Sequence, residues 1–190
     1  MVSWIRGHLL SEDRIALWLC STTRREFDQR VYRAWADEPV DVQILTPAKL
    51  HVTDEYFQLK RRIVAEEESP GEFYILADDD VVPSAAFTLR ALIRIRHYET
   101  FAILAPWPEN ETINAWTPEG YEPFVDDEVA EHVSVGCIRV CRKTGLKFPP
   151  MTSPWYDGTH CQALRDMGYR VGHMRNVTAV HLGKGASTIG

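Results

Sequence analysis

The chain has 190 residues, 45% of them hydrophobic and 25% charged, with a formal net charge of −6. That length and balance fit one globular domain over residues 1–190 rather than two, and the acidic excess argues against a general nucleic-acid binder. Cys20, Cys137, Cys141 and Cys161 show no CxxC spacing, so they read as reduced, partly buried thiols rather than staples or metal ligands.

The apolar runs are strand-sized, far short of the ~20 residues that cross a bilayer, and the N-terminal "MVSWIRGHLLSEDR" has no signal-peptide core. The expectation is a cytoplasmic protein. "IALWLC", residues 15–20, reads as a buried strand, and a helix follows with Phe27, Val31, Ala34 and Trp35 on one stripe. "VDVQILT", 40–46, is a second strand. "DEYFQLKRRIVAEEES" has a helical pattern that "PG" at 70–71 ends, and "EFYILA", 72–77, is a third strand. Ser84 is placed to cap a helix over "AAFTLRALIRIRHY", and "FAILAP", 101–106, closes another strand–helix–strand unit. "SPWYDGTHCQALRDMGYRV" brings Asp157 to the start of a helix that stops at Gly168, and "YRVGHM" and "VTAVHLG" read as two short strands. This order predicts an α/β/α sandwich, Rossmann-like, with a mostly parallel central sheet whose ligands lie beyond the carboxyl ends of its strands.

One of those ends carries "DDD". Asp78, Asp79 and Asp80 follow the third strand directly, so they emerge at the crevice, where three adjacent carboxylates need compensation. A hard cation, Mg²⁺ or Mn²⁺, takes oxygen ligands and keeps positions open for phosphate. An acidic turn that caps a helix is the plain alternative. His181, at the end of the last predicted strand, has a nitrogen that suits Mn²⁺. By itself a lone histidine such as His181 is more often structural, and Asp157 is equally an N-cap.

Taken in order, "LADDDVVP", the glycine-containing strand "VSVGCIRVCRKTGLKF", "WYDGTHCQALRDMGYRV" and the final "VHLG" resemble the GT-A-fold glycosyltransferases, especially the inverting family-2-like group. The resemblance runs from the first strand to His181. It implies a nucleotide-sugar donor and Mn²⁺ or Mg²⁺, with Asp78 and Asp80 as the ends of a DxD motif. Asp80 would then bind the metal directly, Asp78 would contact the donor ribose or reach the metal through water, and Asp79 would touch the sugar. Asp157 falls at the catalytic base and His181 at a last metal ligand. Thr22, Thr23 and Arg24 fall where the nucleotide is held, and Lys60 and Arg61 at the basic position near its phosphates. On these roles, Asp157 takes the acceptor proton while the metal and a cation stabilise the leaving diphosphate.

Two positions depart from the pattern. Thr46 stands where many relatives place an aspartate that reads uracil, so a uridine donor is not assumed, and the acidic pair usual before the base is here Tyr156 and Asp157. The Pro-rich, aromatic, acidic stretch 106–132 reads as a functional loop, with Trp107, Trp116 and Tyr121 expected in a donor or acceptor pocket, or equally as a packed surface loop. Trp155 and Tyr156 are candidates for stacking on a sugar ring. The sequons at Asn110 and Asn176 read as chance matches, and the Gly-rich tail as a frayed terminus. Competing functions are a non-catalytic carbohydrate-binding module and a metal-dependent phosphatase or nuclease. An aspartyl-phosphate phosphatase, however, needs a small hydroxyl residue and a glycine-rich turn where this chain reads "VVPS". The acceptor is a glycan or another hydroxyl. A nucleic-acid acceptor is disfavoured by the net charge, although Arg90, Arg94 and Arg96 offer a local phosphate patch.

Overall fold

Alternation along the strands decides which side of the sheet each residue faces, and it sorts the core into two layers. The computed structural model describes residues 15–20, 29–45, 65–78, 80–108, 128–132, 135, 138–147 and 156–182, and the side chains of all of these except 20, 43–45, 108, 156 and 157. In β1 (Ile15–Cys20), Ile15, Leu17 and Leu19 join one apolar cluster while Ala16 and Trp18 join the other. β3 (Phe73–Asp78) repeats the division, with Phe73, Ile75 and Ala77 on the first side and Tyr74 and Leu76 on the second. Both faces are covered, as the buried runs predict.

The other elements are α1 (Gln29–Ala36), β2 (Val40–Leu45), β4 (Val81–Pro83), α2 (Phe87–His97), β5 (Phe101–Pro108), β6 (Val129–Glu131), β7 (Ile138–Arg142), α3 (Tyr156–Asp166) and β8 (Arg170–His181). The strands form a sheet of order β2-β1-β3-β7-β5-β8-β4, with β6 also paired to β8. β1, β2, β3, β5 and β8 run one way, and β4, β6 and β7 oppose them. The result is the expected mixed α/β architecture with a mostly parallel sheet. α1 and α2 cover the first face through Val31, Trp35, Phe87, Ala91, Leu92 and Ile95, and Trp35 meets Phe87 edge to face with ring centroids 5.7 Å apart. α3 covers the second through Cys161 and Leu164. Helical residues 65–68 lie on that side too, tied down by the Tyr74 hydroxyl, which donates to Glu66 Oε1 at 2.7 Å. Cys141 and Cys161 are free, buried thiols, and burial pushes the Cys141 thiol up to about 12, so it stays protonated and inert at neutral pH.

Four expectations change. The short strands β4 and β6 fall in stretches that read as turn and loop. "YRVGHM" and "VTAVHLG" belong to one strand, β8, which carries an irregularity at its middle. Ser84 does not cap α2 with its side chain. Its hydroxyl accepts from Thr178 N–H at 3.3 Å, and its own N–H donates to Thr178 O at 3.0 Å, which stitches β4 to β8. The helix start is satisfied from outside, because the Glu38 carboxylate accepts the N–H groups of Phe87 at 3.0 Å and Thr88 at 2.8 Å. A carboxylate on two such donors suits the positive end of the helix. Glu38→Ala is therefore expected to cost about 1–2 kcal/mol in urea unfolding, with Glu38→Gln recovering part of the loss.

Candidate active site

β3 is apolar through Ala77, and its first carboxylate appears only as the chain leaves the sheet. Asp78 is the last residue of β3 and is paired in register with Cys20, the last residue of β1. Asp79 lies outside the described residues. Asp80 occupies the turn, after which the chain reverses into β4 and pairs antiparallel with the end of β8: Val81 opposite His181, Val82 opposite Val180 and Pro83 opposite Ala179. The Leu182 N–H donates to Asp80 O at 2.7 Å and closes the ladder.

That pairing sets the geometry. His181 Nε2 and Asp80 Oδ2 lie 3.1 Å apart, with 14% and 21% of the side chains exposed. Two residues separated by a hundred positions thus present one imidazole nitrogen and one carboxylate oxygen at a partly open edge, at the carboxyl ends of β3 and β8. Adjacent ligands of an octahedral divalent ion at about 2.1 Å sit roughly 3 Å apart, so the spacing and the donor types both fit Mn²⁺ or Mg²⁺. Among the described residues no group of three or more His, Cys, Asp or Glu forms a complete metal cage.

Thr22, Thr23, Arg24, Lys60, Arg61, Trp116, Tyr121 and Trp155 lie outside the described residues, and so do the side chains of Tyr156 and Asp157. The Asp157 backbone falls in the first turn of α3. Trp107 belongs to β5 and not to a loop. It is half-buried and meets His173 edge to face at 6.2 Å between centroids, and His132 lies 5.4 Å from the same ring. His173 Nδ1 is 3.0 Å from Pro106 O. Since a carbonyl only accepts, Nδ1 carries the proton.

The basic stretch on α2 is engaged within the chain. The Arg90 guanidinium donates to Asn176 O, Arg94 pairs with Glu128 at 2.6 Å, and the Arg96 guanidinium lies 5.4 Å from the Phe73 ring centroid. Sequence reasoning also missed Glu38, Ser84 and Arg90 as structural anchors. Their partners are 49 to 94 positions away, and no local pattern announces such bonds.

No protein-family model and no curated protein matches the sequence. Solved structures match the fold. A197 from STIV aligns with a TM-score of 0.58 at 14% identity, over 88% of this chain and 85% of that one. S. aureus TarS 1–349 in complex with UDP aligns at 0.56 and 12%, over 88% and 60%. GalNAc-T7 with UDP, GalNAc and Mn²⁺ aligns at 0.57 and 6%, over 89% and 43%. These neighbours share a GT-A-type fold, and at such identities the likeness is one of fold. This chain spans most of A197 but only 60% of the TarS fragment and 43% of GalNAc-T7. Among its described residues no helix is long and apolar enough to cross a membrane.

Proposed function

We propose that this chain is a divalent-metal-dependent glycosyltransferase that moves a sugar from a nucleoside-diphosphate sugar to an acceptor hydroxyl with inversion. The observation that carries the reading is the Asp80–His181 pair, whose 3.1 Å spacing and mixed O,N donors fit a divalent ion at the strand ends. The fold neighbours support it, since TarS was solved with UDP and GalNAc-T7 with UDP, GalNAc and Mn²⁺.

In this reading Asp80 and His181 hold the cation. When bound, that cation supplies Lewis-acid stabilisation to the departing diphosphate. Asp78, beside the end of β1, contacts the donor ribose or reaches the metal through water, and Asp79 contacts the sugar. Thr22, Thr23 and Arg24, which follow β1 in the chain, hold the nucleotide, and Lys60 and Arg61 neutralise its phosphates. Asp157 is the base: its carboxylate takes the acceptor proton as the hydroxyl oxygen forms its bond to the anomeric carbon and the diphosphate leaves from the opposite face. Retention would need a different arrangement, so the available carboxylate favours inversion.

The test is transfer itself. Purified protein is incubated with nucleotide sugars and candidate acceptors, with Mn²⁺ or with chelator, and the product's anomeric configuration is read by NMR. Asp157→Asn is expected to keep donor affinity within about threefold while transfer falls by roughly 10²-fold or more, the usual share of a general base. A fully active Asp157→Asn enzyme would remove Asp157 from that role.

A further inference from the structure

β8 makes its contacts in two registers. Up to Met174 it follows β5 with Pro106 opposite Met174, and it resumes with Trp107 opposite Thr178. Arg175, Asn176 and Val177 therefore have no counterparts in β5 and form a bulge. Beyond it, residues 179–181 pair with β4, and this puts His181 against Asp80. Side chains alternate along a strand, so a slip of one residue after the bulge would turn His181 to the opposite face and bring Val180 into its place. The register of the bulge thus decides whether the two proposed ligands meet.

Two arginines one turn apart on α2 reach the bulge, one directly and one through Glu128. Arg90 donates directly to the Asn176 carbonyl, inside the bulge. Arg94 pairs with the Glu128 carboxylate at 2.6 Å, and the Glu128 carbonyl accepts the Arg175 N–H at 2.9 Å. Val177 is buried in the core beneath. Bulges re-aim the residues that follow them, and this one is fixed by charge-assisted bonds from a helix packed on the first face of the sheet.

We propose that Arg90 and Arg94 are positioning residues for the cation site: they clamp the bulge of β8 and thereby hold His181 within reach of Asp80. This inference rests on the metal-site reading above, and its test separates the two. Mn²⁺ alone is titrated into the protein while the histidine ring resonances are followed by NMR, with His181→Ala assigning the His181 signal. Wild type is expected to show selective broadening of His181, and Asp80→Ala to lose it. Arg90→Ala should weaken Mn²⁺ binding about five- to tenfold and Arg94→Ala similarly, with Arg90→Lys recovering most of the loss because an ammonium also donates to a carbonyl. Ile95→Val, which trims a buried residue of the same helix without touching either guanidinium bond, should stay within twofold of wild type.

If wild type shows no selective broadening of His181, the metal-site reading fails. If broadening is present and lost in Asp80→Ala, but Arg90→Ala binds Mn²⁺ like wild type, the clamp fails and the site stands. If Ile95→Val weakens binding as much as Arg90→Ala at equal loss of stability, general loosening explains the effect and the clamp is overturned.

Discussion

Asp80→Ala is expected to lower Mn²⁺-dependent nucleotide affinity by on the order of 10²-fold, the equivalent of about 3 kcal/mol of charge attraction at a partly exposed site. The same substitution should leave the fold within about 1 kcal/mol of wild type. The side chain is only partly buried, and the backbone bond from Leu182 N–H to Asp80 O survives in alanine. Titration of nucleotide with and without Mn²⁺, beside urea unfolding of both proteins, reads the two effects separately. Equal nucleotide affinity in the variant and wild type, in the presence of Mn²⁺, would return the carboxylates to the role of an acidic turn.

Gly172→Ala carries the largest expected cost in stability. Gly172 lies in β8 where β6 passes close by, and a Cβ there would sit 2.3 Å from Ala130 O and 2.9 Å from Phe101 Cε1. Phe101 is fully buried, and Ala130 O is backbone of the neighbouring strand. Neither can yield without parting β6 from β8 or repacking the core. A loss of about 3 kcal/mol or more is expected, seen as a lower urea midpoint or as insoluble protein. A variant within 1 kcal/mol of wild type would mean that β6 does not approach this closely.

The elements that could be read from the sequence are those with a long local signal. The runs 15–20, 72–77 and 101–106 are apolar enough to be strands whatever surrounds them, and the stripe of Val31 and Trp35 marks its helix, whereas the end of β5 at Trp107 and Pro108 read as loop. β4 and β6 have three residues each, too few for a period, and Pro83 argues against a strand on its own. β8 looked like two strands because polar Arg175 and Asn176 interrupt it, and the interruption proved to be the bulge. At α2 the local signal misled: Ser84 looks like a cap, but a carboxylate from 49 positions upstream does the capping and frees Ser84 to bind β8.

The same distinction applies to the site. Asp78, Asp79 and Asp80 stood out because carboxylates follow an apolar strand, and His181 because it ends the last one. Their distance apart depends on the β4–β8 pairing, which no local pattern revealed. The GT-A architecture was legible in the order of the motifs, and the solved neighbours bear it out as a fold.

The most direct test of the account is the thermal stability of wild-type protein with a panel of nucleoside diphosphates and nucleotide sugars, each with Mn²⁺, with Mg²⁺ and with chelator. Ligands that bind only the native state raise its stability, by about 2.7 kcal/mol at a hundredfold excess over Kd. A shift is expected for one nucleotide that requires the metal, disappears with chelator and is absent in Asp80→Ala, and that shift would also identify the donor base. A panel in which no nucleotide shifts the transition under any metal condition would contradict the glycosyltransferase reading.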